Sequence, residues 1–445
     1  MKENNLITGS ITKKLVAFTM PIVFALLLQV MYGSVDMLIV GNFGTVADVS
    51  GVSTGSQMLN TITSLCTGLA MGITILIGQK IGEEKKEEVG SIIGNSTIVF
   101  FILSIVLTVI LIVFPEFTME MMNVPKDALI ETKEYLFYCS IGIPMIYAYN
   151  VLGSIFRGLG DSKTPLMAVG IACVVNIIVD LVLVAGFNMG AGGAAIATVL
   201  AQTVSVVASL YIVKKRNILG FKMEKSDFSR NNTIIKDIFK LGSPIALQSV
   251  LVSISFLVIT IIINKFGVIF SASVGVVEKI TGIIMLIPLA FMQSMAVFVA
   301  QNYSAKEYHR AKKGMYIGMG ISMIFGVVMG CIAVFHGEFL IGIFNNEIEI
   351  VEVAKTYLKA YALDTVLVPI MFCLTGYLSG RGKTLFVMIQ ALIGAVLIRI
   401  PLTYILSNIG EISLFRVGLA TPIATFIQII ISIIFYIYIE KKEQK

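Results

Sequence analysis

The sequence predicts an all-α polytopic membrane protein: twelve transmembrane helices in two six-helix lobes built as parallel internal repeats. Three observations predict it. The 445 residues are 57% hydrophobic and only 13% charged, with a mean hydropathy of +0.92, whereas soluble domains run at about 45–50% apolar and about 25% charged. That composition excludes a water-soluble enzyme, a disordered chain and a fibrous repeat. Apolar runs of about 20 residues, the length that crosses a hydrocarbon core, recur twelve times. Finally, an ordered set of short matches relates the second half to the first.

The runs lie near 15–40, 51–77, 90–114, 129–153, 165–187 and 191–213, then near 237–264, 272–299, 313–336, 350–378, 384–408 and 415–439. The first follows a short polar start and lacks an A-x-A cleavage site, so it is expected to be an uncleaved span rather than a signal peptide. Pro21 and Pro244 are expected to kink spans one and seven. Twelve crossings put both termini on one side, and charge says which. The segments 1–14, 79–89, 154–164, 214–240, 301–314, 379–383 and 440–445 carry 25 of the 33 Lys and Arg residues, which makes them cytoplasmic by the positive-inside rule. The net charge of +6 is therefore an orientation signal. No basic run interleaves with aromatics, so nucleic acid is not expected as a partner. The expected domains are an N-terminal lobe (1–213), a basic cytoplasmic linker (214–236) and a C-terminal lobe (237–445). The five cysteines lie in apolar stretches without a CxxC pair and read as buried thiols.

The halves match in series. Pro21 precedes Phe43-Gly44 as Pro244 precedes Phe266-Gly267; Gln79 matches Gln301, and Tyr135-Leu136 matches Tyr357-Leu358. The loop Phe156-Arg157-Gly158-Leu159-Gly160-Asp161-Ser162-Lys163-Thr164 corresponds to Leu378-Ser379-Gly380-Arg381-Gly382-Lys383-Thr384 with two residues deleted. The offset stays between 220 and 223, which an ordered series does not reach by accident. Parallel six-span repeats place a cavity between two bundles, the usual design for alternating access.

Ionisable groups at bilayer depth are costly, about 2.5–3.5 kcal/mol on insertion scales, and mark functional positions. The first half has two, Asp36 and Asp180. Asn176 lies one turn before Asp180 on the same face, and Thr198 lies at similar depth in span six. Two carboxylates, an amide and a hydroxyl form an oxygen-rich set suited to Na+ or to an exchangeable proton. Burial and mutual repulsion both favour uptake of a cation by such a pair. The second half is different: Ile259 stands in the place of Asp36, and Ile400 falls near the place of Asp180. It offers Glu278-Lys279 in span eight, Asp364 in span ten and Arg399 in span eleven, for which an Asp364 to Arg399 ion pair is the simplest expectation.

Isolated polar tips in spans usually face protein or water, which makes Tyr32, Tyr147, Tyr149, Asn150 and Gln248 candidates for a substrate cavity together with Glu278, Asp364 and Arg399. The 22 methionines, Met295 among them, are candidates to line an adaptable pocket, with most of them expected towards lipid. Gly51-Val52-Ser53-Thr54-Gly55 fits GxSxG, but it opens a membrane helix with no strand before it, so an esterase is not expected. Gly326 and Gly330 read as close helix packing. His309 and His336 are too far apart for a metal pair, and without a GxxxxGK[ST] motif an ion gradient is the expected energy source.

The FRGLGDSKTP-type loop in both halves, GSVDMLIVG ending span one, NIIVDLVLV in span five and GGAAIATVLAQ opening span six resemble the multidrug and toxic compound extrusion (MATE) family over essentially the whole chain. The resemblance implies a twelve-helix antiporter, not an enzyme, that exports organic, often cationic, compounds against H+ or Na+, with no cofactor beyond the coupling ion. It implies that the positions matching Asp36, Asn176, Asp180 and Thr198 form the cation-coupling site of the N-terminal lobe, the Na+ site if sodium is used. Val252 stands where one branch carries a glutamate, which leans the chain towards the DinF-like rather than the NorM-like branch. A bacterial cytoplasmic membrane, contact with membrane lipid and a monomer complete the expectation. The alternatives are a lipid-linked precursor flippase, which needs several basic residues in its cavity, and a non-transporting membrane sensor or scaffold, which gives no reason for the acidic set.

Overall fold

A computed structural model of the chain describes residues 6–122, 124–216, 223–410 and 412–443. Of the segment expected as linker, residues 217–222 lie outside the described residues, as do 1–5 and 444–445 of the basic ends. Among the described residues every regular element is a helix. Eleven helices are long and apolar enough to cross a membrane, and a bent pair makes a twelfth if it is one span. In chain order they are α1 (Ile11–Phe43), α2 (Val46–Gly82), α3 (Lys86–Val113), α4 (Leu129–Gly158), α5 (Lys163–Gly186) and α6 (Gly190–Arg216). The second set is α7 (Asn232–Asn264), α8 (Val268–Ile284 continued by Leu286–Ser304), α9 (Tyr308–Phe335), α10 (Ile348–Gly380), α11 (Thr384–Ser407) and α12 (Leu414–Glu443).

Each apolar run of the sequence falls on one of these helices. Several extend a turn beyond the run, because hydropathy stops where side chains turn polar while backbone hydrogen bonding continues. The uninterrupted span expected at 272–299 is instead bent by 42° at Met285. Pro288, in the first turn of the second piece, has no N–H to offer the carbonyl of Ile284.

The repeat is visible in the backbone. Glu84 and Lys306, with φ of 59° and 64°, are left-handed residues closing α2 and α8. Gly160 and Gly382, with φ of 82° and 75°, do the same after α4 and α10. Two short helices the sequence did not announce, Pro115–Met121 and Gly337–Gly342, follow α3 and α9 in equivalent places.

The chain divides into two compact units. The first is Met20–Ala246; the second joins the described residues from Leu247 onward to those up to Thr19. The units therefore differ from the expected halves. In the second, Leu15 is fully buried beside Gly318, and the Arg310 guanidinium donates to the carbonyls of Leu6 (3.1 Å), Thr8 (3.2 Å) and Gly9 (2.6 Å). In the first, the start of α7 lies against α2 so tightly that a Cβ on Gly242 would fall 2.2 Å from the Leu69 carbonyl. α1 and α7 each change units within two residues of a proline, Pro21 and Pro244.

Within the first unit, glycine lets helices meet. A Cβ on Gly55 would fall 2.3 Å from the Tyr135 ring, and one on Gly51 would fall 2.8 Å from Glu131, so both glycines of the GxSxG string serve α2–α4 packing. In the second unit, Thr365 Oγ1 donates to the Gly326 carbonyl at 2.9 Å, and a Cβ on Gly330 would fall 2.7 Å from that hydroxyl. Met295 is fully buried in the second unit, where α9 and α10 present Gly318 and Gly376 to it.

Candidate functional site

α4 packs on α2, α3 and α6 at the centre of the first unit, and α5 lies against α6. The Asp161 carboxylate starts α5, accepting from the backbone N–H of Lys163 (2.9 Å) and Thr164 (3.1 Å) and from the Thr164 hydroxyl (2.6 Å). The helix is α-wound to Asp180 and then π-wound over Leu181–Gly186. A π segment inside an α-helix strains the hydrogen-bond ladder and is common at functional positions. Beyond it, α6 is fixed by one carboxylate. Asp48 accepts from the Ala191 N–H (2.8 Å), the Thr45 N–H (2.8 Å) and the Thr45 hydroxyl (2.7 Å), so it caps α2 and α6 together. Gly190 sits with φ of 50°, and a Cβ there would lie 2.0 Å from Asp48 Oδ1.

Asp36 is 6% exposed, Asn176 1%, Asp180 0% and Thr198 7%. The Asp36 and Asp180 carboxyls lie close enough to act on one another. Two carboxylates are both acceptors, so they bond only if one carries a proton, and otherwise repel. Among the described residues, Asp36 Oδ1, both Asp180 oxygens and both ends of the Asn176 amide are shut from solvent without a hydrogen-bond partner. Native interiors rarely tolerate such a set unless a ligand, ion or proton completes it.

The structure thus brings Asp36 and Asp180 together with Asn176 one turn away. No hydrogen bond among the described residues joins the Thr198 hydroxyl to them. Tyr32, one turn before Asp36, lies beside that carboxylate and Tyr149, and the Gln202 amide faces its hydroxyl. Gln29 donates to the Tyr149 hydroxyl at 3.3 Å, and Thr67 donates to Asn150 at 3.3 Å. Tyr147 is instead a core residue, 4% exposed and tilted against Phe100. Gln202, buried with Oε1 unpartnered, was missed from sequence; its signal was an amide one turn after Thr198 on an apolar helix. Tyr135 and Cys139, fully buried near Asp36, gave no signal. The cation nearest in kind is Arg157, carried into the buried end of α4 because that helix runs to Gly158. It bonds Ser154 Oγ at 2.9 Å and forms no ion pair with either aspartate.

In the second unit the expected Asp364 to Arg399 ion pair is not made. Arg399 Nη1 donates to Ser255 Oγ at 3.0 Å, and its guanidinium lies 4.7 Å from the Phe256 ring centre. Asp364 faces the Thr425 hydroxyl, and the packing of α10 on α12 holds it there. Thr260 donates to Glu278 at 3.4 Å. Lys279 is exposed and Gln248, on α7, is half-buried.

The MatE family model matches this chain twice, over residues 21–182 and 244–405. The chain belongs to the MatE family. Both matches begin on a proline and stand 223 residues apart, so the family unit is the internal repeat itself. The "Probable multidrug resistance protein YpnP" of Bacillus subtilis is 26% identical over 407 residues, covering 92% of this chain and 91% of that protein. The "Multidrug export protein MepA" of Staphylococcus saprophyticus is 25% identical over 402 residues, covering 90% and 88%. A crystal structure of MATE in complex with MaL6 superposes with a TM-score of 0.93 over the full length of both chains at 20% identity. A MOP superfamily transporter from Pyrococcus furiosus superposes equally well, at 0.93 and 20% identity over 100% of this chain and 99% of that one. The two solved structures share the all-helical fold of this chain.

Proposed function

We propose that this MatE protein is a secondary active multidrug exporter that moves organic cations outward in exchange for Na+ or H+ taken up at Asp36 and Asp180. The observation that carries the proposal is the buried carboxylate pair, with its unpartnered oxygens and no basic partner. Such a pair is stable with one proton or one cation between its members, and the same deficit attracts a cationic drug. Asn176 Oδ1 adds a neutral oxygen of the kind a hard cation takes. Uptake of the ion cancels the charge that favours the drug, and only such differential affinity can drive a conformational exchange. The names of YpnP and MepA support multidrug export.

The reading carries with it a bacterial cytoplasmic membrane, cytoplasmic termini, alternating access of the two lobes, a monomer and substrates that are small organic cations. Ethidium efflux from proteoliposomes, with sodium and proton gradients imposed separately, tests it. Efflux driven by at least one gradient is expected; efflux indifferent to both contradicts antiport.

A further inference from the structure

The export reading makes no use of Lys279. This residue lies about 16 Å of helix past Val268, the start of α8, and a hydrocarbon core is about 30 Å thick. Its side chain is exposed, and no ion pair among the described residues involves it. Glu278, next to it, accepts instead from the Thr260 hydroxyl of α7 at 3.4 Å; consecutive residues of a helix do not face each other. Gly275 and Gly282 flank the lysine on its own face, and a Cβ on either would meet no atom within 4 Å. Lys279 therefore rises from an open strip of α8.

The first unit repeats the strip without the charge. Ser53, Gln57 and Asn60 on α2 stand 222 residues before Gly275, Lys279 and Gly282, the offset of Gln79 to Gln301, and all three are exposed. A charge at this depth is costly against lipid, and snorkelling serves only helix ends, so the strip on α8 faces water. Arg157 and Arg399 each donate to a serine, whereas the Lys279 ammonium keeps three donors free. We propose that Lys279 binds the carboxylate of exported compounds, so that the exporter accepts molecules carrying an acid group as well as a cationic one. Ammonium and carboxylate make a charge-assisted hydrogen bond, which the neutral amide of Gln57 does not match. The inference deepens the export proposal and rests on it for the route the compound takes.

The test uses two dyes that differ at one group: rhodamine 110, a cationic xanthylium with a free carboxylate, and rhodamine 123, its methyl ester. Fluorescence anisotropy with the purified full-length protein in phosphatidylcholine nanodiscs reads their dissociation constants. Lys279→Gln weakens rhodamine 110 at least about tenfold, the loss of one charge-assisted hydrogen bond, and leaves rhodamine 123 unchanged or tighter; Lys279→Arg restores rhodamine 110. Gly275→Glu places a carboxylate one turn before the lysine, in open space and in the favoured order for a helix pair. It weakens rhodamine 110 without altering the lysine, and Gly275→Gln does not; should Lys279→Gln fail to fold, this pair decides. No binding of rhodamine 110 by the parent, equal binding by parent and Lys279→Gln, or equal weakening of both dyes overturns the proposal. Phosphatidylglycerol added to the nanodiscs leaves rhodamine 110 binding as it was; competition that Lys279→Gln abolishes would assign the lysine to a lipid headgroup and overturn it. Failure of the export reading shows elsewhere, as efflux of neither dye under either gradient.

Discussion

Asp36 on α1 and Asp180 on α5 are buried and act on one another, and among the described residues neither forms an ion pair with a basic side chain. They stand 144 residues apart in the sequence. The pair has too much negative charge for a dry interior unless a proton or metal cation is shared, and under the coupling proposed above the site responds to both.

Competition of the two ions follows. A proton bound between the carboxylates excludes sodium, so sodium should displace a bound fluorescent cation more effectively at about pH 8.5 than at about pH 6. Replacing Asn176 with Leu removes a neutral ligand and should raise the sodium concentration for half-displacement at least about tenfold, or ~1.4 kcal/mol. Thr198→Val should have a smaller effect, since its hydroxyl is not bonded to the pair. Displacement assays at both pH values check the order, and equal effects of the two substitutions would contradict it.

Asp48 joins two helix starts. Asp48→Ala should destabilise the first unit by about 1–3 kcal/mol, the loss of one to two caps, and should raise hydrogen exchange at the Ala191 and Thr45 amides together. Asp48→Asn, which keeps an acceptor, should lose less. Thermal melting in detergent with peptide-resolved exchange measures both.

The segment after residue 223 is docked, not loose. Asn95 Nδ2 donates to the Ser229 carbonyl (3.1 Å), and its Oδ1 accepts from the Asn231 N–H (2.8 Å). A Cβ on Gly94 would fall 2.1 Å from the Asp227 carbonyl. Gly94→Ala and Asn95→Ala should each release the segment and increase cleavage at Lys225 and Arg230 by trypsin several-fold, with α3 itself intact by circular dichroism.

At the opposite end of the repeat, Arg381 has a fully buried side chain, bonded to Glu440 at 2.7 Å and Glu443 at 2.5 Å, with its guanidinium 4.5 Å from the Tyr303 ring centre. Removing the guanidinium takes a partner from both carboxylates at once, although Glu440 keeps Lys312. Arg381→Ala should therefore lower the melting temperature more than Glu443→Gln, whose carboxylate is half exposed.

What the sequence made legible was whatever hydropathy and charge write along one dimension: the spans, the repeat and the rare acids inside them. Asp36, Asp180 and Asn176 could be found because a polar residue in an apolar run is conspicuous. Contacts decided by bending were hidden. Pro288 breaks α8 in a run that reads as continuous, and Arg399, expected on Asp364, bonds Ser255. The assignment of the starts of α1 and α7 to opposite units from their continuations was hidden too, because hydropathy says nothing of partners. Gln202 was concealed by the small, mixed composition of α6, where one amide among Ala, Thr and Ser did not stand out.

The central claim is that the Asp36–Asp180 pair couples an ion to export. The most direct measurement is ethidium efflux from proteoliposomes containing Asp36→Asn, Asp180→Asn or the parent chain, reconstituted in equal amounts under the gradient that drives the parent. Each substitution removes one charge with almost no change of shape, so folding and insertion should persist while gradient-driven efflux falls to the level of protein-free vesicles. Efflux near the parent rate in both variants would contradict the account.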